Sequence, residues 1–162
     1  MPQAKLSHLD SAGKARMVDV GQKPVTRRTA IARGVIIMQR QTLAVIKSGN
    51  VPKGEVLAVA RVAAILAAKR CGELIPLCHG LNLDSVQVDF DFPKPRPKQN
   101  RQPLTITATA SISAKTGVEM EALLAVSMAA LTIYDMCKAI DKTMVIDGIE
   151  LIQKTGGQHS NA

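Results

Sequence analysis

Two stretches of alternating apolar residues, separated by a short polar loop, most constrain what this 162-residue chain can fold into. The first is DSVQVDFDF, residues 84–92, and the second is LTITATASIS, residues 104–113. A period of two is typical of half-buried β-strands. The Pro-, Lys- and Arg-rich residues 93–103 between them contain no core-forming side chain. We therefore predict two antiparallel strands joined by a solvated hairpin connection.

Three segments have helical patterns. RQTLAVIKS predicts a short helix closed by Gly49 and Asn50. The apolar segment after TGVE predicts a helix of roughly six turns from Thr116 to about Ile140, with a capping box between Thr116 and Glu119. VPKGEVLAVARVAAILAAKR predicts the third helix by its three-and-four spacing. Its predicted buried face consists of Val56, Val59, Ala60, Ala63, Leu66 and Ala67.

The remaining segments complete one domain. GVIIMQ from Gly34 and TMVIDGIELIQ, with a turn or bulge at Asp147-Gly148, predict a strand near each end, and residues 1–33 look like an extended basic arm. The resulting order is strand, helix, helix, strand, strand, helix, strand. It favours a single α+β domain, with helices packed on one face of an antiparallel sheet. We expect residues 1–15 and 158–162 to be flexible.

Composition limits the function classes. The formal charge of +8 and pI of about 9.7 favour an anionic partner or a generically basic surface, and the 2% aromatic content argues against a nucleic-acid binder with stacking platforms. Three cysteines without C-x-x-C spacing argue against a disulfide framework or zinc site. No apolar run reaches about 18 residues and no signal core is seen, so we predict a cytoplasmic protein without membrane contact.

LTIYDMCKAIDK places Asp135 and Lys138 three residues apart on an apolar helix. They form either a surface ion pair, worth about 0.2–0.5 kcal/mol, or a pair that acts on a ligand. Glu121 falls on nearly the same helix face but about 21 Å away at 1.5 Å per residue. If both ends serve one site, the ligand is extended or a second subunit supplies one end.

Other candidates are individually weaker. His79 in LIPLCHG is a proton-transfer candidate or an ordinary turn histidine. Lys53 in VPKGE lies where a helix begins, where it can meet a phosphate or serve as a capping-region lysine. KTGG, residues 154–157, resembles a phosphate loop but lacks the upstream glycine and the following helix of one.

Together, KGEVLAVARVAAILAAKR, LIPLCHG, KTGVEMEALLAVSMAALTIYDMCKAIDK and MVDVGQK resemble the MoaC family, the cyclic pyranopterin monophosphate synthases of molybdenum cofactor biosynthesis. The resemblance runs from about residue 7 to Gly157. It implies a ferredoxin-like subunit and a homohexamer made of three dimers, with active sites at the dimer interface. The implied reaction converts 3′,8-cyclo-7,8-dihydroguanosine triphosphate, supplied by the radical enzyme MoaA, into cyclic pyranopterin monophosphate and pyrophosphate.

The resemblance also implies site residues. The family's essential lysines match Lys53 and Lys138, and its acid–base aspartate matches Asp135. His79 is implied as a proton shuttle. The implied substrate contacts are Leu77, Cys78, His79, Glu119, Met120, Glu121 and Arg28. One departure from the family pattern is Gly80, where a proline is expected.

We expect no protein-bound metal and no cofactor, since the sequence contains no metal-ligand cluster. Two other classes remain open. One is a basic RNA- or nucleotide-binding module without chemistry. The other is a structural oligomer in which the 115–140 helix is only an interface.

Overall fold

A computed structural model describes residues 12–94 and 99–157. The predicted flexibility of residues 1–15 and 158–162 falls largely outside these ranges, and residues 95–98 of the predicted hairpin loop are also outside them. The elements in chain order are β1 (Thr26–Gln39), α1 (Arg40–Ser48), α2 (Val56–Lys69), α3 (Cys71–Leu74), β2 (Ser85–Asp91), β3 (Arg101–Ala114), α4 (Glu119–Cys137) and β4 (Val145–Thr155).

The four strands form one antiparallel sheet in the order β2-β3-β1-β4. The helices pack on one side of it, so the predicted α+β, ferredoxin-like architecture is confirmed. β2 and β3 are the predicted hairpin strands, and Val88 is paired with Ala108. The alternate residues of β3 that were predicted to be apolar are fully buried, which fixes the register of the sheet.

The core lies between this sheet and α4, which also packs along α2. α4 presents small residues to both neighbours, among them Ala122, Ala125 and Ala129, all 0% exposed. Alanines let the backbones approach closely, because nothing larger than a methyl group separates them. Opposite α4, Gly34 in β1 has no room for a side chain: a Cβ there would lie 2.8 Å from Cγ1 of Val126.

Two predicted boundaries were wrong. β1 begins at Thr26, not Gly34, so Arg27, Arg28 and Arg33 belong to the sheet and not to an arm. The alternating pattern of this strand is weak in the sequence, because the residues that point inward there are small: Ala30 and Ala32 are buried. The hairpin loop is also shorter than predicted, since β3 begins at Arg101.

The capping box at the start of α4 was also wrong. The helix begins at Glu119 after Val118 and has no side-chain cap, and it ends at Cys137. The Glu119 carboxylate instead pairs with Lys154 of β4. The predicted bulge in the last strand is present at Gly148, which has φ +60° and lies between residues paired with Arg33 and Val35.

The predicted buried face of α2 is partly wrong. Val59 is 46% exposed and Leu66 is 49% exposed, whereas Ala60, Ala64 and Ala68 are buried. The alanine side of α2 faces the core because α4 packs close to it. This leaves Val59, Val62 and Leu66, at i, i+3 and i+7, as an uncovered apolar stripe on the single chain.

The expectation that no apolar segment is long enough to span a bilayer is corrected by α4. This helix is long and apolar enough to cross a bilayer by length and composition alone. Half of its most apolar window is buried inside the protein, against the sheet and α2. Burial of this kind is typical of the central helix of a packed domain.

Candidate active site

Three charged side chains meet where α4 ends. Lys138 Nζ lies 2.7 Å from one carboxylate oxygen of Asp135, and Lys53 Nζ lies 3.2 Å from the other. Lys53 also donates to the backbone carbonyl of Asp135 at 3.0 Å. That carbonyl belongs to the last turn of α4. The carbonyls of a last helical turn have no intrahelical N–H partner, and the negative end of the helix dipole there favours a cation. We call Lys53, Asp135 and Lys138 the acid–amine cluster.

In the resting chain the acid–amine cluster is an ion-paired group exposed to solvent. The hydrogen bond from Lys138, followed by that from Lys53, lowers the pKa of Asp135. The same pairing with Asp135 raises the pKa of Lys138. Both shifts hold the groups in their charged forms, and about half or more of each side chain is exposed. A ligand that separates the pair would free a carboxylate base and an ammonium acid.

A pocket of about 680 Å³ lies at the opposite end of α4. Its lining is mostly apolar and includes Val18, Ile75 and Leu81. Six residues expected from the sequence also line it: Leu77, Cys78, His79, Glu119, Met120 and Glu121. We call this the apolar pocket.

The polar groups of the apolar pocket are held from several elements. His79 Nε2 lies 3.0 Å from the carbonyl oxygen of Val18, which ties the histidine loop to the segment before β1. Glu121 is 3% exposed, and its burial raises the pKa of its carboxyl. Burial also raises the pKa of Cys78, with the nearby Glu121 charge acting in the same direction. Gly80 has open space around it, so a side chain there would meet nothing.

A second pocket, of about 450 Å³, adjoins the first and shares with it Lys23, Thr116, Gly117 and Glu119. Four cations line it, and Glu119 is the acid among its lining residues. The cations are Lys23, Arg28, Lys115 and Lys154. We call it the basic pocket. Its charge suits a polyanion such as a chain of phosphates.

Backbone contacts position the cations of the basic pocket. Arg28 donates from Nε to the carbonyl of Ala114 at 3.0 Å, which bridges β1 and β3. Gly157 lies against the Arg28 guanidinium: a Cβ there would be 2.5 Å from one of its terminal nitrogens. Lys115 donates to the carbonyl of Gly21 at 2.6 Å. The hydroxyl oxygen of Thr26, which also lines this pocket, is buried without a hydrogen-bond partner.

Sequence reasoning selected Arg28 but missed Lys23, Lys115 and Lys154 as members of one pocket. The signal that could have found them was weak. The KTGG segment contributes Lys154, Gly156 and Gly157 to the basic pocket. It does so as the end of strand β4, not as a phosphate loop that precedes a helix. MVDVGQK contributes Lys23, and the lysine preceding TGVE is Lys115.

The single chain brings the predicted site residues into two groups, not one. Asp135 and Lys138 are paired at the end of α4, as their spacing predicted, and Lys53 joins them there. His79 and Glu121 lie near the start of the same helix. α4 is unbroken between Glu121 and Asp135, so the groups are about 21 Å apart along its axis. Among residues 12–94 and 99–157, no group of three or more His, Cys, Asp or Glu side chains is placed to hold a metal ion.

The fold and these pockets define a ferredoxin-like α+β protein with a mostly apolar pocket, an adjoining basic pocket and a separate acid–amine cluster. The model of the MoaC family matches residues 17–157, and the chain belongs to that family. It is 65% identical to a cyclic pyranopterin monophosphate synthase of Chloroflexus aggregans, over 95% of this chain and 90% of the relative. Synthases of the same name from Novosphingobium aromaticivorans and Natranaerobius thermophilus are 60% and 53% identical, over 94% and 95% of this chain and 93% and 94% of those relatives.

Proposed function

We propose that this protein is a cyclic pyranopterin monophosphate synthase, a lyase of molybdenum cofactor biosynthesis. Its substrate is 3′,8-cyclo-7,8-dihydroguanosine triphosphate and its products are cyclic pyranopterin monophosphate and pyrophosphate. The observation that carries the proposal is the direct connection between a mostly apolar pocket and a pocket lined by four cations. A nucleotide-derived substrate has the same two parts, a flat heterocycle and a triphosphate.

The two parts of the substrate have different partners. The heterocycle occupies the apolar pocket, where the Glu121 carboxylate accepts hydrogen bonds from its guanidine-like edge and His79 is within reach to move a proton. The triphosphate occupies the basic pocket, where Arg28 and Lys154 bind its oxygens. These cations also stabilise the charge that develops on pyrophosphate as it leaves.

The acid–amine cluster supplies the main proton transfers. Asp135 acts as the base and Lys138 as the acid when the reduced purine ring opens and the pterin ring closes. Lys53 adds positive charge near the α-phosphate as the ribose-derived hydroxyl attacks it. The lowered pKa of Asp135, caused by Lys138 and then Lys53, is a property of the resting ion pair. Substrate must enter between these groups before either transfers a proton.

One chain cannot place the acid–amine cluster against substrate held in its own pockets, because about 21 Å of α4 separates them. We therefore assign each active site to two chains, with the cluster from one and both pockets from the other. The family resemblance favours a homohexamer of three dimers. The uncovered Val59, Val62 and Leu66 stripe on α2 and the exposed Ile149, Leu151 and Ile152 of the edge strand β4 offer apolar area for such contacts.

Two experiments test this proposal. The purified protein is incubated with the cyclo-dihydroguanosine triphosphate that MoaA produces, and the pterin product and pyrophosphate are detected by mass. Lys53→Ala should abolish turnover while the exposed Lys47→Ala, on α1 outside both pockets, should not. Retained turnover in Lys53→Ala would contradict the catalytic role proposed for Lys53. Loss of binding alone, without any turnover by the wild type, would favour a nucleotide-binding module.

The shared site is tested by complementation. Lys53→Ala and His79→Ala chains are each inactive, but mixed dimers contain one site built from two unaltered halves. Random mixing in equal amounts should restore about a quarter of wild-type activity, because half of the dimers are mixed and each has one working site of two. No recovery in a mixture shown by mass to contain mixed dimers would place the whole site in one chain.

The free thiols of Cys71, Cys78 and Cys137 suit the cytoplasmic location that we expect for this reaction.

A further inference from the structure

A short segment ahead of β1, residues 18–23, runs along the apolar pocket, and we call it the strap. It contributes three residues to the lining of that pocket: Val18, Val20 and Lys23. Two contacts hold the strap in place. The N–H of Gly21 donates to the Asp19 carboxylate at 2.8 Å, which closes a turn. Lys115, just after β3, donates from Nζ to the Gly21 carbonyl at 2.6 Å. The backbone carbonyls of the strap therefore have fixed positions beside the pocket.

The loop that carries His79 is fixed from the other side. The N–H of Cys78 donates to the Ile75 carbonyl at 3.0 Å, which closes a turn after α3. Gly72 of α3 has no side chain to hold the returning loop away. A Cβ on Gly72 would lie 2.9 Å from the carbonyl oxygen of His79 and 2.7 Å from the Cα of Gly80. The backbone of His79 is therefore packed directly against α3, and its ring extends from there to the strap.

The contact between loop and strap decides which ring nitrogen of His79 carries the proton. Nε2 of His79 lies 3.0 Å from the carbonyl oxygen of Val18. A carbonyl oxygen can only accept a hydrogen bond, so Nε2 is the N–H nitrogen of the ring. In a neutral imidazole, Nδ1 then has a free lone pair. Across residues 12–94 and 99–157 the His79 ring makes no second hydrogen bond, so Nδ1 is left for a ligand in the pocket that His79 lines.

We propose that Val18 is a positioning residue for His79: its carbonyl fixes the Nε2–H tautomer, which makes Nδ1 the atom that exchanges a proton with the substrate. The inference rests on the proposed function, in which His79 moves a proton at the heterocycle. When the substrate gives up the proton, its N–H or O–H bond breaks, the electron pair stays on the substrate, and an Nδ1–H bond forms. The imidazolium keeps its Nε2–H on the Val18 carbonyl and returns the Nδ1 proton to another substrate atom, which restores the starting tautomer.

The tautomer is tested by ¹⁵N NMR of protein labelled at histidine, with His79→Gln to assign one signal set among the three histidines of the chain. In the neutral His79 ring we expect the proton on Nε2 and none on Nδ1. Saturating GTP, which has the purine and the triphosphate but not the bond that rearranges, should shift the Nδ1 signal and leave the proton on Nε2. Calorimetry verifies that GTP is bound. A neutral ring protonated at Nδ1, or bound GTP that leaves the Nδ1 signal in place, would overturn the inference.

His79→Gln also separates contact with the strap from proton transfer. A glutamine amide can reach the position of Nε2 and donate to the Val18 carbonyl, but it has no basic nitrogen. We expect His79→Gln to keep the wild-type Tm and to lower kcat by at least about a hundredfold with little change in KM. His79→Ala should lower both Tm and kcat. Wild-type kcat in His79→Gln would mean that His79 only ties down the strap, and the assignment of Nδ1 would then be wrong.

A pair of strap variants tests whether Val18 is the cause of the tautomer. Asp19 is exposed and lines neither pocket. Asp19→Ala removes the acceptor that holds the N–H of Gly21, whereas Asp19→Asn keeps one. We expect Asp19→Ala to add the Nδ1–H tautomer of His79 to the spectrum and to lower kcat/KM about threefold, and Asp19→Asn to match the wild type in both. A pure Nε2–H spectrum in Asp19→Ala would mean that the strap does not control the ring.

Failure of the proposed function has a different signature. The wild type would then not convert the cyclo-dihydroguanosine triphosphate at all. The ¹⁵N spectra of the protein without substrate would still show whether the Val18 carbonyl sets the tautomer of His79.

Discussion

Lys154→Ala removes one of the four cations of the basic pocket and leaves Glu119 without its partner. Lys154 is 31% exposed and Glu119 is 26% exposed, so water screens their charges only in part. A charge-assisted hydrogen bond to a phosphate contributes about 1.5–3 kcal/mol, and each 1.4 kcal/mol is tenfold in affinity. We therefore expect KM to rise about tenfold to hundredfold. kcat should fall less, because Lys154 binds substrate and does not transfer protons.

Steady-state kinetics at two salt concentrations give the measurement. The wild type should lose more affinity than Lys154→Ala when salt is raised, because screening weakens a contact that the variant lacks. Lys154→Arg should recover most of the affinity. Adding Glu119→Gln to Lys154→Ala should recover part of it, because it removes the unpaired negative charge from the pocket. An unchanged KM in Lys154→Ala, or the same KM increase in the Lys47→Ala control, would refute the placement of the triphosphate.

Three further perturbations test other parts of the structure. Asp135→Asn should lower kcat by at least about a hundredfold while substrate still binds, since it removes the proposed base; single-turnover kinetics and calorimetry separate the two. Gly156→Ala should destabilise the protein by about 1–3 kcal/mol and raise KM, because Gly156 has φ +88° and a Cβ would press on the carbonyl of Arg27; thermal melting and kinetics measure both. Asp141→Asn should cost about 2–3 kcal/mol and lower Tm by roughly 5–10 °C. Asp141 is 2% exposed, and its carboxylate accepts hydrogen bonds from the N–H groups of Gln39 and Thr143 and from the hydroxyls of Thr42 and Thr143. In Asp141→Asn the side-chain NH₂ group, itself a donor, would face some of these donors.

The Asp141 prediction has a pH signature. Burial alone would raise its pKa, but the hydrogen bonds from Gln39 and Thr143 outweigh burial and lower it. Its stabilisation is therefore present above the unfolded pKa of about 3.8 and is lost as pH falls through the lower folded value. The advantage of wild type over Asp141→Asn should shrink only in strong acid. A difference that instead disappears between pH 5 and 8 would contradict this account.

Matched controls use the same chemistry elsewhere. Asp147→Asn changes an exposed aspartate that accepts from the N–H of the next residue and should leave Tm nearly unchanged. Gly80→Ala has no positive φ and no atom within 4 Å of its Cβ, so it should be neutral where Gly156→Ala is not. Equal effects of the two glycine variants would remove the strain argument. Substrate binding lost together with turnover in Asp135→Asn would favour a binding role for the acid–amine cluster.

The sequence by itself determined the order of the four strands and the three longer helices along the chain. Alternation in residues 84–92 and 104–113 fixed β2 and β3, because a period of two places one set of side chains on the buried face regardless of distant contacts. The same local rule failed where inward residues are small. The prediction cut β1 short at its Ala30 and Ala32 end and wrongly placed Val59 and Leu66 on the buried face of α2. Only packing against α4 decides that alanines face inward there.

The site shows the same division. Asp135 and Lys138 could be paired from the sequence, because residues three apart on a helix are neighbours. Lys53 joins them from 82 residues away, and Lys154 reaches Glu119 from 35 residues away. Such contacts depend on how β4 lies beside β1 and how α2 meets α4, which no local pattern encodes. The sequence therefore selected most of the candidate side chains, whereas the tertiary structure decided that they form two groups at opposite ends of one helix, because a rigid helix keeps its ends apart.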